Sequence, residues 1–190
     1  PEDKIIIFAQ YGQPIVLGLD HAHINDPSLI YTQGGLYLYY TRQLFSEPAM
    51  TIGMAKITRR GILIQDFGSI IGNPQKCGAW SPGTVKVNNE IWVYYHKAAP
   101  CVGNFRQRIS SFDGHSLIGE EQKIDTSGQW LVNVDIARKS NGAFLMVGDY
   151  LNALPGFQDI HILKSTDGEH WTPYPQIDNG SLIHNSGTIG

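Results

Sequence analysis

DPSLIYTQGGLYLYYT, residues 26–41, spells out a β-hairpin: a polar start at Asp26-Pro27, a short apolar run, a small-residue turn at Gly34-Gly35, and an aromatic-rich run ending at Thr41. The same pattern returns without a gap as SPGTVKVNNEIWVYYH (residues 81–96) and as NVDIARKSNGAFLMVG (residues 133–148). Aligned in this way, Tyr37, Trp92 and Phe144 fall in register, 55 and then 52 residues apart. A repeat of about fifty residues with four β runs per unit describes the blades of a propeller, not a solenoid of helices.

Working outward, the first blade occupies residues 25–72, with an inner strand at 28–32, a second at 36–41, a third at 51–58 and a fourth at 62–70. The second, residues 76–124, repeats this around turns at Asn88-Asn89 and Asp113-Gly114. The third, residues 129–177, does so around Asn141-Gly142 and Asp167-Gly168. Val, Ile, Tyr and Phe alternate or run continuously in these segments, as sheets packed on both faces require. Residues 4–18 read as one or two strands of another blade, and residues 181–190 as the start of a fourth inner strand. A closed propeller ordinarily needs four or more blades. The expectation is therefore one all-β propeller domain over residues 1–190, incompletely represented and completed by additional blades or by a homo-oligomer.

At 42% hydrophobic and 16% charged residues the chain is globular and long enough for its own core. No apolar run approaches the ~20 residues of a membrane-spanning helix. A formal charge of −3 without any Lys/Arg run gives no footprint for nucleic acid. The chain opens on Pro1 with no basic-then-apolar leader, and an extracellular or periplasmic location is set slightly ahead of a cytoplasmic one. Extending the hairpin around Asn88-Asn89 brings Cys77 nearly opposite Cys101. Two readings follow: a disulfide, or two unpaired buried thiols, of which the second is the default.

In a four-stranded meander the connections alternate between the two faces of the disk. The three hairpin turns fall on one face. The other receives residues 21–26, 42–49, 78–81, 97–104, 129–133, 149–158 and 178–186, which are richer in His, Trp, Arg, Asn and Asp than the strands. Polar and aromatic loops around a central funnel suit a sugar, which offers hydroxyls for hydrogen bonds and an apolar ring face for stacking.

HINDPSLIYTQGGLYLYY (residues 23–40), followed by AWSPGTVKVNNEIWVYYH (residues 79–96), resembles the five-bladed propeller glycosidases: the arabinanases and β-xylosidases of glycoside hydrolase family 43, with invertases and levansucrases as relatives. The resemblance implies that Asp26 is general base or nucleophile. Trp80 and Pro82 keep the second-blade motif, but Gly83 stands where that motif has Asp. Asn133 stands where the family's third-blade Asp tunes the acid, and Asp135 lies two residues on. Asn185 and Ser186 occupy the place of the general acid Glu. Glycoside hydrolysis ordinarily uses two carboxyl groups, so a partner for Asp26 is sought in Asp135, in Asp149 or Asp159 of the third blade, in a histidine, or beyond residue 190. STDGEHW (residues 165–171) resembles the Asp-box turn of sialidases and other propellers, which is scaffold.

The candidate catalytic residues are Asp26, Asp135 and Asp149, and the candidate sugar contacts are His23, Asn25, Arg42, Trp80, His96, Trp130, Asn133 and His184. Each has a plainer alternative. Asp26 serves equally as a turn carboxylate before Pro27, Trp80 and Trp130 as plugs between blades, and Arg42, Lys97 and Arg106 as solvated loop charges. No cofactor is expected, although His21, His23, His96, His161 and His184 leave a channel-bound metal as a lesser alternative. Three functions remain: a glycoside hydrolase acting on an oligosaccharide or polysaccharide, a carbohydrate-binding propeller without its acid, or a protein interaction scaffold.

Overall fold

The computed structural model describes residues 22–151, 158–174 and 181–183. Among them there is no helix, and thirteen strands form three antiparallel sheets. The first sheet runs β1 (Ala22–Thr32), β2 (Gly35–Leu44), β3 (Thr51–Ile57) and β4 (Leu63–Ile71), paired in chain order. The second runs β5 (Trp80–Val87), β6 (Glu90–Lys97), β7 (Gly103–Ser110) and β8 (Leu117–Lys123). The third contains β9 (Leu131–Arg138), β10 (Phe144–Leu151), β11 (Gln158–Ser165) and the short β12 (Thr172–Pro173). Three four-stranded meanders of one design are the blades that the repeat describes.

Alternation along the second strand of each blade fixes the packing. Tyr37 and Tyr39 point to one face of β2 and join Ile91, Val93 and Tyr95 of β6 in a core between the first two sheets. Leu36, Leu38 and Tyr40 point to the other face, where they cluster with Ala55 and Ile57. One sheet later Tyr94 turns toward Val134, Phe144, Met146 and Trp171, with Trp92 packed on the same cluster. Both faces of each central strand are thus buried, and each enclosed side chain of this size stabilises by about 1.5–3 kcal/mol. The outer strand β8 carries Glu120, Glu121, Gln122 and Lys123 at the exposed rim.

Polar bonds repeat with the blades. The Tyr39 hydroxyl donates to the Gly114 carbonyl at 2.7 Å and the Tyr94 hydroxyl to the Gly168 carbonyl at 3.0 Å, each reaching the third-to-fourth-strand turn of the next blade. In the later turn Ser165 Oγ accepts from the Gly168 N–H, and Asp167 Oδ1 accepts from the N–H groups of Glu169 and His170. Burial opposes ionisation of Asp167, but these bonds together hold its carboxyl well below the ordinary range. Trp171 is buried beneath the turn, so the Asp-box residues serve as scaffold.

Several details differ from the sequence reading. The first hairpin turns at Gln33-Gly34, because Gly35 already pairs with Thr32. Gly34 is pressed on the Phe112 carbonyl so closely that a Cβ would overlap it. The inner strands begin several residues earlier than expected, since the polar start of each lies inside the strand. Ser181–Ile183 (β13) pairs with β11 on the edge that β12 also uses, and so extends the third sheet instead of opening a new one. Residues 4–18 and 184–190 lie outside the described residues. Finally, Cys77 and Cys101 form a disulfide with Cα atoms 5.8 Å apart, which overturns the default of two free thiols. The loops beyond β5 and β6 continue toward each other, and so the pair is joined.

Candidate active site at the junction of the inner strands

Each inner strand carries the same irregularity at the same place. Asp26-Pro27 in β1 lie opposite Tyr40 alone, Ser81-Pro82 in β5 opposite Tyr95, and Asn133-Val134 in β9 opposite Gly148. These are β-bulges, which bend a strand and re-aim a side chain. A bulge also tolerates Pro27 and Pro82, because the ladder is already interrupted. The first residue of each has left-handed backbone: φ is 48° at Asp26, 53° at Ser81 and 50° at Asn133. Non-glycine residues held there store strain of about 1–3 kcal/mol each, a feature that concentrates at functional sites. Their spacing reproduces the repeat itself.

The bulges bring the three side chains together. Ser81 Oγ lies 3.0 Å from Asp26 Oδ2 and 3.0 Å from Asn133 Oδ1. Thr41 Oγ1 donates to the same Asp26 oxygen at 2.8 Å, and itself accepts from the Ser81 N–H at 2.8 Å. Asn133 Nδ2 donates to Asp149 Oδ2 at 2.8 Å. A polar chain thus runs from the first blade to the third. It borders a depression of about 220 Å³ lined by the three bulges together with Ser28 and Asp135. Ser28 and Thr84 close its wall with a hydroxyl–hydroxyl bond of 2.9 Å.

Of the candidate catalytic residues, Asp26 and Asp135 line this depression, and Asp149 is tied to it through Asn133. The Asp135 carboxylate accepts from the Ile136 N–H at 2.9 Å. Gly83 cannot carry the missing carboxylate: its Cβ position is occupied by the Val134 carbonyl of the next inner strand. Ser81 and Thr41 were not singled out from sequence. The signal was present for Ser81, since its Ser-Pro aligns with Asp26-Pro27.

The other candidates are dispersed. His23 is exposed and sets its ring edge-on to Phe45 at 4.7 Å, and Asn25 is exposed beside it. Arg42 donates to Ser69 Oγ at 2.9 Å across its own sheet. His96 is only 2% exposed, with Trp80 at 4.4 Å and Trp130 at 6.3 Å between ring centroids. Burial alone pushes its imidazole down to about 3, and Nδ1 has no hydrogen-bond partner among the described residues. His96 is therefore a neutral wedge between two tryptophans, not an open sugar contact. Lys97 and Arg106 are buried rather than solvated: Lys97 pairs with Glu121, and Arg106 lies 4.2 Å from the Trp92 ring and pairs with Glu169. His161 contacts Gln129 at 2.8 Å and Tyr150 at 4.7 Å between ring centroids. Among the described residues no cluster of three or more His, Cys, Asp or Glu is arranged to hold a metal. His184, His21 and the Asp159 side chain lie outside what is described.

A second cavity, of about 370 Å³, lies on the third sheet near Lys139, Phe144 and Tyr174 and is remote from the bulges. It contains no carboxylate and is less suited to the chemistry than the smaller depression.

No protein-family model and no curated protein sequence matches the chain. Solved structures do. The GH43 endo-arabinanase from Bacillus licheniformis superimposes with a TM-score of 0.61 at 19% identity, over 85% of this chain and 57% of that one. The endo-arabinase from Bacteroides thetaiotaomicron gives 0.61 at 14% identity, over 83% and 61%. The exo-beta-1,3-galactanase 1,3Gal43A from Clostridium thermocellum gives 0.60 at 9% identity, over 80% and 36%. The chain thus spans under two thirds of the length of each. The three sheets are blades of the β-propeller fold that the five-bladed family-43 glycoside hydrolases share.

Proposed function

We propose that the chain is part of a glycoside hydrolase-type propeller acting on an oligosaccharide or polysaccharide, with Asp26 as general base or nucleophile in the central depression. The observation that supports this most is the strained bulge that lifts Asp26 toward Ser81 and Asn133 at the junction of three blades. Arabinans and galactans are the first polymers to test, since the structurally similar proteins are arabinanases and a galactanase. Trp80 and Trp130 then border the sugar path, while His23, Asn25 and Asn133 supply hydrogen bonds from the open side. The disulfide supports an oxidising location, extracellular or periplasmic.

A second reading, a carbohydrate-binding propeller without hydrolysis, draws support from Gly83 and Asn133, which stand where the resemblance expects carboxylates. Aryl α-L-arabinofuranosides, β-D-galactosides and β-D-xylosides, offered beside arabinan and galactan oligosaccharides, separate the two. Release of the aryl group or of reducing ends supports the hydrolase. Saturable binding without release supports the binding propeller, and the absence of both overturns the sugar assignment.

A further inference from the structure

We propose that Thr41 is a positioning residue of the site: its hydroxyl clamps one oxygen of Asp26, Oδ2, from behind, and leaves the other, Oδ1, to face the depression and act on the sugar. This rests on the hydrolase reading and names what aims its base or nucleophile.

Asp26 and Pro27 interrupt the ladder between β1 and β2, and the last rung before them joins Asn25 to Thr41. The bulge thus gives up the pairing that would hold Asp26 by its backbone. Thr41 holds the side chain instead. It is only 1% exposed, and its Oγ1 lies 2.8 Å from Asp26 Oδ2 and 2.8 Å from the Ser81 nitrogen. An N–H can only donate, so the Ser81 N–H occupies a lone pair of Oγ1 and the Thr41 hydrogen is left for the carboxylate. The direction of the clamp is therefore set by the backbone of the next blade.

The same place in the other blades does related work. His96 is the ladder partner of Trp80 and Asp149 of Val132, each the residue just before a bulge, as Asn25 is before Asp26. Asp149 bonds to the bulge residue of its own blade, Asn133, at 2.8 Å, as Thr41 bonds to Asp26. His96 sets its ring against Trp80 instead. Of the three, Thr41 alone braces a carboxylate.

The two oxygens of Asp26 are thereby made unequal. Oδ2 receives Thr41 and has the Ser81 hydroxyl at 3.0 Å. Oδ1 has no hydrogen-bond partner among the described residues and is not enclosed. Asp26 lines the depression and Thr41 does not, so the clamp acts from outside the sugar's space. A carboxylate gripped by its rear oxygen presents the front one in a single orientation, and misplacing a reacting atom by ~1 Å can slow a reaction about a hundredfold. In either role, base or nucleophile, the working oxygen is Oδ1.

Two measurements test this. Thr41→Val keeps the shape and removes the hydroxyl, whereas Thr41→Ser keeps the hydroxyl. On an aryl glycoside that the parent cleaves, Thr41→Val is expected to lower kcat about tenfold or more with KM within about twofold, and Thr41→Ser to stay within about threefold of the parent. Equal losses in the two variants, an unchanged kcat in Thr41→Val, or a rise in KM alone overturns the positioning role and leaves the hydrolase reading intact. The second measurement needs no turnover. In denaturant titrations the midpoint shift caused by Thr41→Val is expected to fall to about half or less when Asp26 is already alanine, because the clamp is then gone before Thr41 is changed. The same shift in both backgrounds overturns the clamp whether or not any sugar is cleaved. Thr41→Ala serves in both measurements where Thr41→Val does not fold, with Thr41→Ser again as its control. A parent inactive on every glycoside removes the positioning role together with the hydrolase reading, and the titration still decides the clamp by itself.

Discussion

The Tyr94 hydroxyl donates to the Gly168 carbonyl of the next blade at 3.0 Å, just as Tyr39 donates to Gly114 one blade earlier at 2.7 Å. Both glycines have left-handed backbone, with φ of 76° and 73°, and both are pressed on the aromatic ring two residues before the tyrosine. This is the joint by which one wedge-shaped sheet is indexed to its neighbour. The third blade has Met146 at the corresponding position and offers no hydroxyl.

Tyr94→Phe leaves the Gly168 carbonyl without its partner in a buried joint, and is expected to cost about 1–2 kcal/mol. Tyr39→Phe should cost a similar amount, with the double variant close to additive because the two joints are separate. Gly168→Ala is expected to be worse, roughly 3 kcal/mol, since a Cβ would lie 2.5 Å from the Trp92 ring and 2.6 Å from the Tyr94 hydroxyl. Denaturant midpoints at constant slope measure all four variants.

His96 predicts an acid-sensitive fold. Its imidazole is held down to about 3 by burial, whereas the unfolded chain takes up that proton near the ordinary value of 6.5. Stability is therefore lost as pH falls below about 6.5, at about 1.4 kcal/mol per pH unit from this one group. His170, raised by Asp167, pulls the other way, so the comparison is between the parent and His96→Phe. Between about pH 6.5 and 4.5 the variant should show a flatter stability profile in denaturant titrations. Parallel profiles would mean that His96 is solvated.

The Cys77–Cys101 disulfide closes a separation of 24 residues at the entry to the second blade. Loop-closure entropy for such a span corresponds to about 3 kcal/mol. Replacing both residues by serine should lower the thermal midpoint, and a reductant should have no further effect on that variant. Mass spectrometry of the unreduced protein checks the pairing directly.

Much of this architecture is legible in the residues alone, because the blade repeat is carried by large side chains. Tyr37, Trp92 and Phe144 mark equivalent positions, and the two-residue period around them gives two buried faces. Asp26 stood out through Asp-Pro at a blade entry. What escaped was the set of relations that depends on how blades meet. Ser81 is an ordinary serine in sequence, and becomes a bridge only because three bulges converge. Gly83 reads as a lost carboxylate, whereas the space for any side chain there is taken by the Val134 carbonyl. Lys97 and Arg106 read as loop charges, yet both are buried and each is paired with an acid distant in sequence, Glu121 and Glu169, which composition and spacing do not encode.

The most direct test of the central claim is to measure turnover and affinity on the same glycoside and oligosaccharide panel for the parent and Asp26→Ala. The account predicts a parent that cleaves at least one arabinosyl, galactosyl or xylosyl substrate and a variant reduced by about a hundredfold or more, with its fold intact by circular dichroism. A variant as active as the parent, with unchanged affinity for the sugar, would contradict it.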